Sequence, residues 1–112
     1  MTAISTSTLS FGEIVLLIFP FTNGGKSKKR PALVLRDTID GDIIVCRITS
    51  KLYNSEFDFE IEKWKKCGLK LPSVVRLHKI AALEKSLVDQ SIGVIDEKLK
   101  KIIKQNFRIL IK

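Results

Sequence analysis

Two cysteines and one histidine in 112 residues leave this chain short of the side chains that hold transition metals or build disulfide frameworks. Cys46 and Cys67 lie far apart and in no CxxC arrangement, so no zinc-site spacing exists. Cys46 falls inside an apolar run and reads as a small core residue, and a structural disulfide is unusual in the cytosol. Neither a metal nor a cofactor is expected. A membrane-spanning run is missing as well: the apolar stretch 14–21 is too short to cross a bilayer and follows Glu13. Residues 1–10 are polar and carry no basic residue, unlike a targeting segment. The expected setting is the cytoplasm, with no membrane partner. Repeats and linkers are also wanting, so the organisation reads as a flexible N-terminus over 1–10 and a single domain over 11–112.

Acidic residues are the other shortage. Lys and Arg number 20 against 12 Asp and Glu, a formal charge of +8. On so small a domain that surplus raises the local anion concentration and favours a polyanion such as nucleic acid. The hydrophobic fraction of 45% excludes a disordered tail, and the length suits one core.

What is present is mostly strand. Residues 11–20 are rich in β-branched and large apolar types and stop at Pro20. The stretch 22–29 (TNGGKSKK) is Gly-rich, polar and basic, and reads as a mobile loop. Residues 31–37 and 42–50 are two further strands, joined through Thr38-Ile39-Asp40-Gly41, whose Asp-Gly pair is a hairpin signal. Residues 57–61 alternate apolar and acidic types, as a half-buried strand does. One helical turn over 62–67 ends at Gly68. Short strands over 73–82 and 92–95 follow, and Asp96 caps a last helix with Leu99, Ile102, Ile103, Phe107 and Leu110 on one stripe. The expected fold is mainly β, a small curved antiparallel barrel with a C-terminal α-helix.

Three segments carry the candidate chemistry. The Gly-rich loop delivers Lys26, Lys28, Lys29 and Arg30 to one place, suited to gripping a phosphate. In the following hairpin, a four-residue loop sets Arg30 opposite Thr49, while a two-residue turn makes them diagonal neighbours. Either register gathers Arg30, Thr49 and Ser50 at one end, and a guanidinium beside hydroxyls is equipment for stabilising charge on phosphate. In Ser73-Val74-Val75-Arg76-Leu77-His78, alternation puts Arg76 and His78 on one face, a cation and an imidazole able to share a phosphodiester.

Together these stretches resemble the PemK/MazF family of toxin ribonucleases from toxin–antitoxin pairs. The resemblance runs through Gly12-Glu13-Ile14-Val15, Phe19-Pro20-Phe21-Thr22, Lys29-Arg30-Pro31-Ala32-Leu33-Val34-Leu35, Ile48-Thr49-Ser50, Gly68-Leu69, Pro72-Ser73-Val74-Val75-Arg76 and Ile92-Gly93, in family order. It implies an SH3-like barrel, a homodimer, cleavage of single-stranded RNA at short sequences without a metal, and a small acidic antitoxin as partner. It also implies that Arg30 and Thr49 are the catalytic pair and that Arg76 matches a second catalytic Arg. The chain departs from the family where His78 replaces an acidic residue two places after that Arg, where Gly24 replaces a flap histidine of some members, and where Ile18 replaces a common Asp. His78 is therefore the candidate general acid or base, and Lys26, Lys28, Lys29, Ser50 and Ser73 are candidate substrate-binding residues. The competing expectations are a non-catalytic toxin of the same fold that binds DNA gyrase, and an RNA-binding module.

Overall fold

The computed structural model describes residues 7–20 and 27–112. Among these, six strands form one antiparallel sheet: β1 (Glu13–Pro20), β2 (Ser27–Asp37), β3 (Asp42–Thr49), β4 (Asp58–Glu60), β5 (Val74–Glu84) and β6 (Val88–Val94). The order across the sheet is β4-β5-β3-β2-β1-β6. The sheet stays open between its β4 and β6 ends and curves in a barrel-like way, closed over by helix α1 (Glu97–Leu110). Mainly β with a C-terminal helix is the class expected from the sequence. No helix among the described residues is long and apolar enough to cross a membrane.

The middle strands read as apolar runs because both of their faces are covered. On one face Ile14, Leu33, Cys46, Ile48, Val75 and Leu77 pack with Ile95, Leu99 and Ile103 from the C-terminal segment. On the other, Val15, Leu17, Ala32, Val34, Ile43 and Val45 form a second cluster with Leu9 and Val88. Leu9 belongs to the stretch expected to be flexible, yet it is buried and its amide donates to Asp37 Oδ2 at 2.9 Å. Cys46 is a buried core residue as expected, and burial pushes its thiol up to about 12.

Helix α1 begins where the sequence places it: Asp96 Oδ1 accepts from the Leu99 amide at 2.9 Å. The turn over 62–68 is closed by two bonds, from Gly68 N to Lys65 O at 3.1 Å and from Leu69 N to Trp64 O at 3.0 Å. That pairing is a Schellman motif, with Gly68 at φ +83° in the left-handed position. Its backbone lies on β6, where a Cβ added to Gly93 would sit 2.2 Å from the Cys67 carbonyl oxygen.

Three boundaries differ from expectation. β2 starts at Ser27, so Lys28 and Lys29 are strand residues paired with Phe19 and Ile18 and not part of a loop. Its first turns look loop-like in sequence because an exposed strand end can be basic. β6 begins at Val88 and not at Ile92, its polar start (Asp89, Gln90, Ser91) hiding an edge strand. β5 runs on to Glu84, and a single 3-10 turn over Lys85–Leu87 joins it to β6. Lys26 and Gly24 lie outside the described residues.

Candidate functional site

The β2–β3 hairpin decides where Arg30 goes. Near the turn Asp37 faces Ile43 and Arg36 faces Ile44, a five-residue connection that matches neither expected turn. A bulge at Leu35 then shifts the register, so that Val34 faces Val45 and Ala32 faces Arg47. Continued by two residues, this register sets Arg30 opposite Thr49. The four-residue turn does not form, and the bulge supplies the step that returns the hairpin to the register such a turn implies. On its other side Arg30 pairs with Leu17 of β1.

Arg30, Thr49, Ser50 and Ser73 line one groove of about 850 Å³, with Lys28 and Lys29 at its wall. Its remaining cations among the described residues are Arg47, Lys70 and Lys79, and no described Asp or Glu lines it. Leu17, Phe19, Ala32, Val45 and Leu83 give it an apolar floor. Of the basic residues, Lys29 meets Asp89 at 3.0 Å across a half-exposed surface, an ion pair that solvent largely screens. Arg30 is exposed and has no ion pair among the described residues. Thr49 Oγ1 accepts from the Lys51 amide at 3.2 Å, which leaves its hydroxyl proton free to donate. Ser73 is buried, and its hydroxyl donates to the Leu71 carbonyl at 2.8 Å.

Arg76 and His78 fall outside that lining and form a second cluster with β4. Arg76 faces Asp58 directly across the β4–β5 pair, and its Nε donates to Asp58 Oδ1 at 2.8 Å. The Asp58 side chain is wholly enclosed. Burial alone raises its pKa, but hydrogen bonds from Ser55 and Arg76 outweigh this and hold it at about 2. The Tyr53 ring lies against the guanidinium, 3.6 Å from its carbon, a cation–π contact. Arg76 Nη2 reaches His78 Nε2 at 3.4 Å, and since Arg only donates, that nitrogen is the acceptor. His78 Nδ1 is buried with no partner.

β5 makes this second cluster by breaking step. Cys46 faces Ile80 while Arg47 faces Arg76, so residues 77–79 are extra and bend the strand away from β3. The sequence reading brings Arg76 and His78 together on alternation, and the structure keeps them in contact, but beside the groove. Arg47, Lys70 and Lys79 escaped that reading. Arg47 was open to discovery from its place two residues before Thr49 on the same strand face.

The sequence matches, over residues 10–111, the family described as PemK-like, MazF-like toxin of type II toxin-antitoxin system. No curated protein matches it. Among solved structures, the MazE-MazF complex (Form-III) from Deinococcus radiodurans superposes with a TM-score of 0.77 at 19% identity, over 94% of this chain and 97% of that one. The Mycobacterium tuberculosis toxin MazF-mt6 gives 0.65 at 18% identity, over 81% and 89%. An endoribonuclease in complex with its cognate antitoxin from a Mycobacterial species gives 0.67 at 13% identity, over 86% and 87%. At these identities the likeness is one of fold.

Proposed function

The chain belongs to the PemK-like, MazF-like toxin family of type II toxin–antitoxin systems, and on that premise we propose that it cuts single-stranded RNA by attack of the substrate's own 2′-hydroxyl. The observation that carries the reading is the groove: six cationic side chains (Lys28, Lys29, Arg30, Arg47, Lys70 and Lys79) line it around the hydroxyls of Thr49 and Ser50. Among the described residues only Lys29 of the six has an ion pair, with Asp89, and no carboxylate is part of the lining. Such a surface attracts a phosphate chain and repays its charge.

The reaction asks four things of the protein: alignment of the 2′-oxygen with phosphorus, removal of its proton, stabilisation of the pentacovalent phosphorane, and protonation of the leaving 5′-oxygen. Arg30 and Thr49 take the phosphorane, the guanidinium by charge and the hydroxyl by donation. Ser50 adds a second hydroxyl, and Lys28 and Lys29 hold the strand at the wall. Arg76, locked by Asp58, supplies fixed positive charge at the next position on the sheet. His78, whose Nε2 lies 3.4 Å from Arg76 Nη2 beside the groove, is the candidate for taking the 2′-hydroxyl proton. Phosphorus forms its bond to the 2′-oxygen and releases the 5′-oxygen, which takes its proton from solvent water in the open groove. The products are a 2′,3′-cyclic phosphate and a 5′-hydroxyl, and no metal-activated water is needed.

The same acid-free groove suits an acidic antitoxin segment, which would silence the enzyme by occupying the phosphate path. A homodimer completes the proposal, checked by light scattering against the 12.7 kDa chain mass. The decisive experiment incubates the purified protein with a mixed RNA pool in excess EDTA. Cutting is expected, and it should stop when the nucleotide 5′ of the cut is 2′-deoxy. A strict Mg²⁺ requirement overturns the 2′-hydroxyl mechanism, and an untouched pool overturns the nuclease reading in favour of a binding toxin.

A further inference from the structure

Arg47 occupies a position that nothing in the protein explains. It stands on β3 directly opposite Arg76 of β5. Like charges facing each other across an antiparallel pair repel. Lys79, the last of the three extra residues of β5, lines the same groove beside it. Arg76 keeps its charge and has Asp58 as a counter-ion on its far side, but Arg47 has no counter-ion among the described residues. Its neighbour on β2 is Ala32, which has nothing to offer a guanidinium. Arg47 is exposed to the groove and makes no hydrogen bond or ion pair among the described residues.

An unpaired cation held between two others wants an anion. Arg47 shares a strand face with Thr49, two residues away, a separation of about 7 Å along a strand. That is comparable with the step from one phosphate to the next in an extended single strand. We infer that Arg47 forms a second phosphate subsite, holding the phosphodiester next to the one at Arg30 and Thr49. The inference rests on the RNA-cleaving reading above. Because the fork of a guanidinium binds two phosphate oxygens at once, Arg47 fixes the register of the strand as well as its attachment. It touches no reacting atom, and Arg30 and Thr49 still align the scissile phosphate without it, so its loss is expected in binding and not in the chemical step.

The test uses a short RNA containing one mapped cut site, together with its non-cleavable 2′-deoxy form. Arg47→Ala is expected to raise KM, and the Kd for the 2′-deoxy strand, by about 10-fold while leaving kcat within about two-fold. Arg47→Lys should recover part of the binding, since it restores the charge without the fork. A methylphosphonate at one phosphate flanking the cut should cost the wild type as much as Arg47→Ala does and cost Arg47→Ala nothing more. Thermal unfolding of Arg47→Ala should occur at or above the wild-type temperature, since a repulsion is removed. A fall in kcat with KM unchanged, additive losses at both flanking phosphates, or a clearly lower Tm overturns the subsite. A wild type that never cuts RNA defeats the nuclease reading instead, and Kd for the 2′-deoxy strand still reports on Arg47 by itself.

Discussion

Arg76 is held on three sides, by Asp58, Tyr53 and His78, whereas Arg30 stands at the groove wall with solvent around it. The two arginines are therefore expected to respond differently to removal. Arg30→Ala takes one preorganised charge from a phosphorane and should slow RNA cleavage by roughly 10²–10³-fold. Its exposure means that the circular dichroism spectrum and unfolding midpoint should stay at wild-type values. A variant that cuts at the wild-type rate would remove Arg30 from the mechanism. His78→Asn provides the companion measurement: if the imidazole moves the 2′-hydroxyl proton, the rate falls by about 10²–10⁴-fold. An unaltered rate would leave His78 the task of supporting Arg76.

At the scale of elements, the turn over 62–68 and strand β6 meet backbone to backbone, and only glycine fits on either side. A Cβ on Gly68 would lie 2.4 Å from the Ile92 carbonyl oxygen, and one on Gly93 2.2 Å from that of Cys67. Gly93→Ala must push the turn off the sheet and is expected to cost about 2–3 kcal/mol, read by urea unfolding. Gly41→Ala is the control, because nothing lies near a Cβ there and only the left-handed backbone is strained. Equal stability of Gly93→Ala and wild type would show that the two segments separate freely.

The sequence made some of these elements plain and concealed others for identifiable reasons. Helix α1 was legible because Asp96 and the apolar stripe mark it twice, by cap and by period. The strands β1 and β3 were legible as apolar runs. Of β6 only the end from Ile92 was legible, because an edge strand needs only one apolar face and Val88-Asp89-Gln90-Ser91 offers even less. The juxtaposition of Arg30 with Thr49 followed from counting residues, yet the count worked only because the bulge at Leu35 cancels the longer turn. Bulges leave little trace in a single sequence. For the same reason the offset at 77–79, which carries Arg76 and His78 to β4, and the opposition of Arg47 to Arg76 stayed hidden.

The molecule as a whole is tied together by buried carboxylates. Asp37 Oδ2 accepts from Lys85 Nζ at 2.8 Å and from the Leu9 amide at 2.9 Å, joining the N-terminal strap, the β2 end and the 3-10 turn. Lys85 also donates to the Ser7 carbonyl. The Lys85 hydrogen bond, then those from Leu9 and Ile39, hold the Asp37 carboxyl at about 2 against an ordinary 3.8. Asp58 is lowered to about 2 as well. A depressed carboxylate pKa stabilises the fold fully above the unfolded value and loses that contribution as pH falls through the folded one. Stability should therefore hold above about pH 5 and drop between about pH 4 and 2. Asp37→Asn should be less stable at pH 7 and show a shallower acid decline. Urea unfolding at stepped pH checks both, and parallel acid limbs for the two proteins would rule the clamp out.

The strand order carries a consequence in time. Among the described strands β1 is made first and its outer neighbour β6 last: Glu13 pairs with Val94 and Ile14 with Gly93. The partners of Ile14 in the core, Ile95, Leu99 and Ile103, come later still. At a synthesis rate of about 5–20 residues per second, a nascent chain waits several seconds between making β1 and making the strand that covers its edge. Throughout that interval β2 and β3 can pair locally and set Arg30 beside Thr49, while one side of the sheet remains unsealed. A ribosome making this protein thus carries the β2–β3 hairpin before it carries the strand and the helix that cover the sheet.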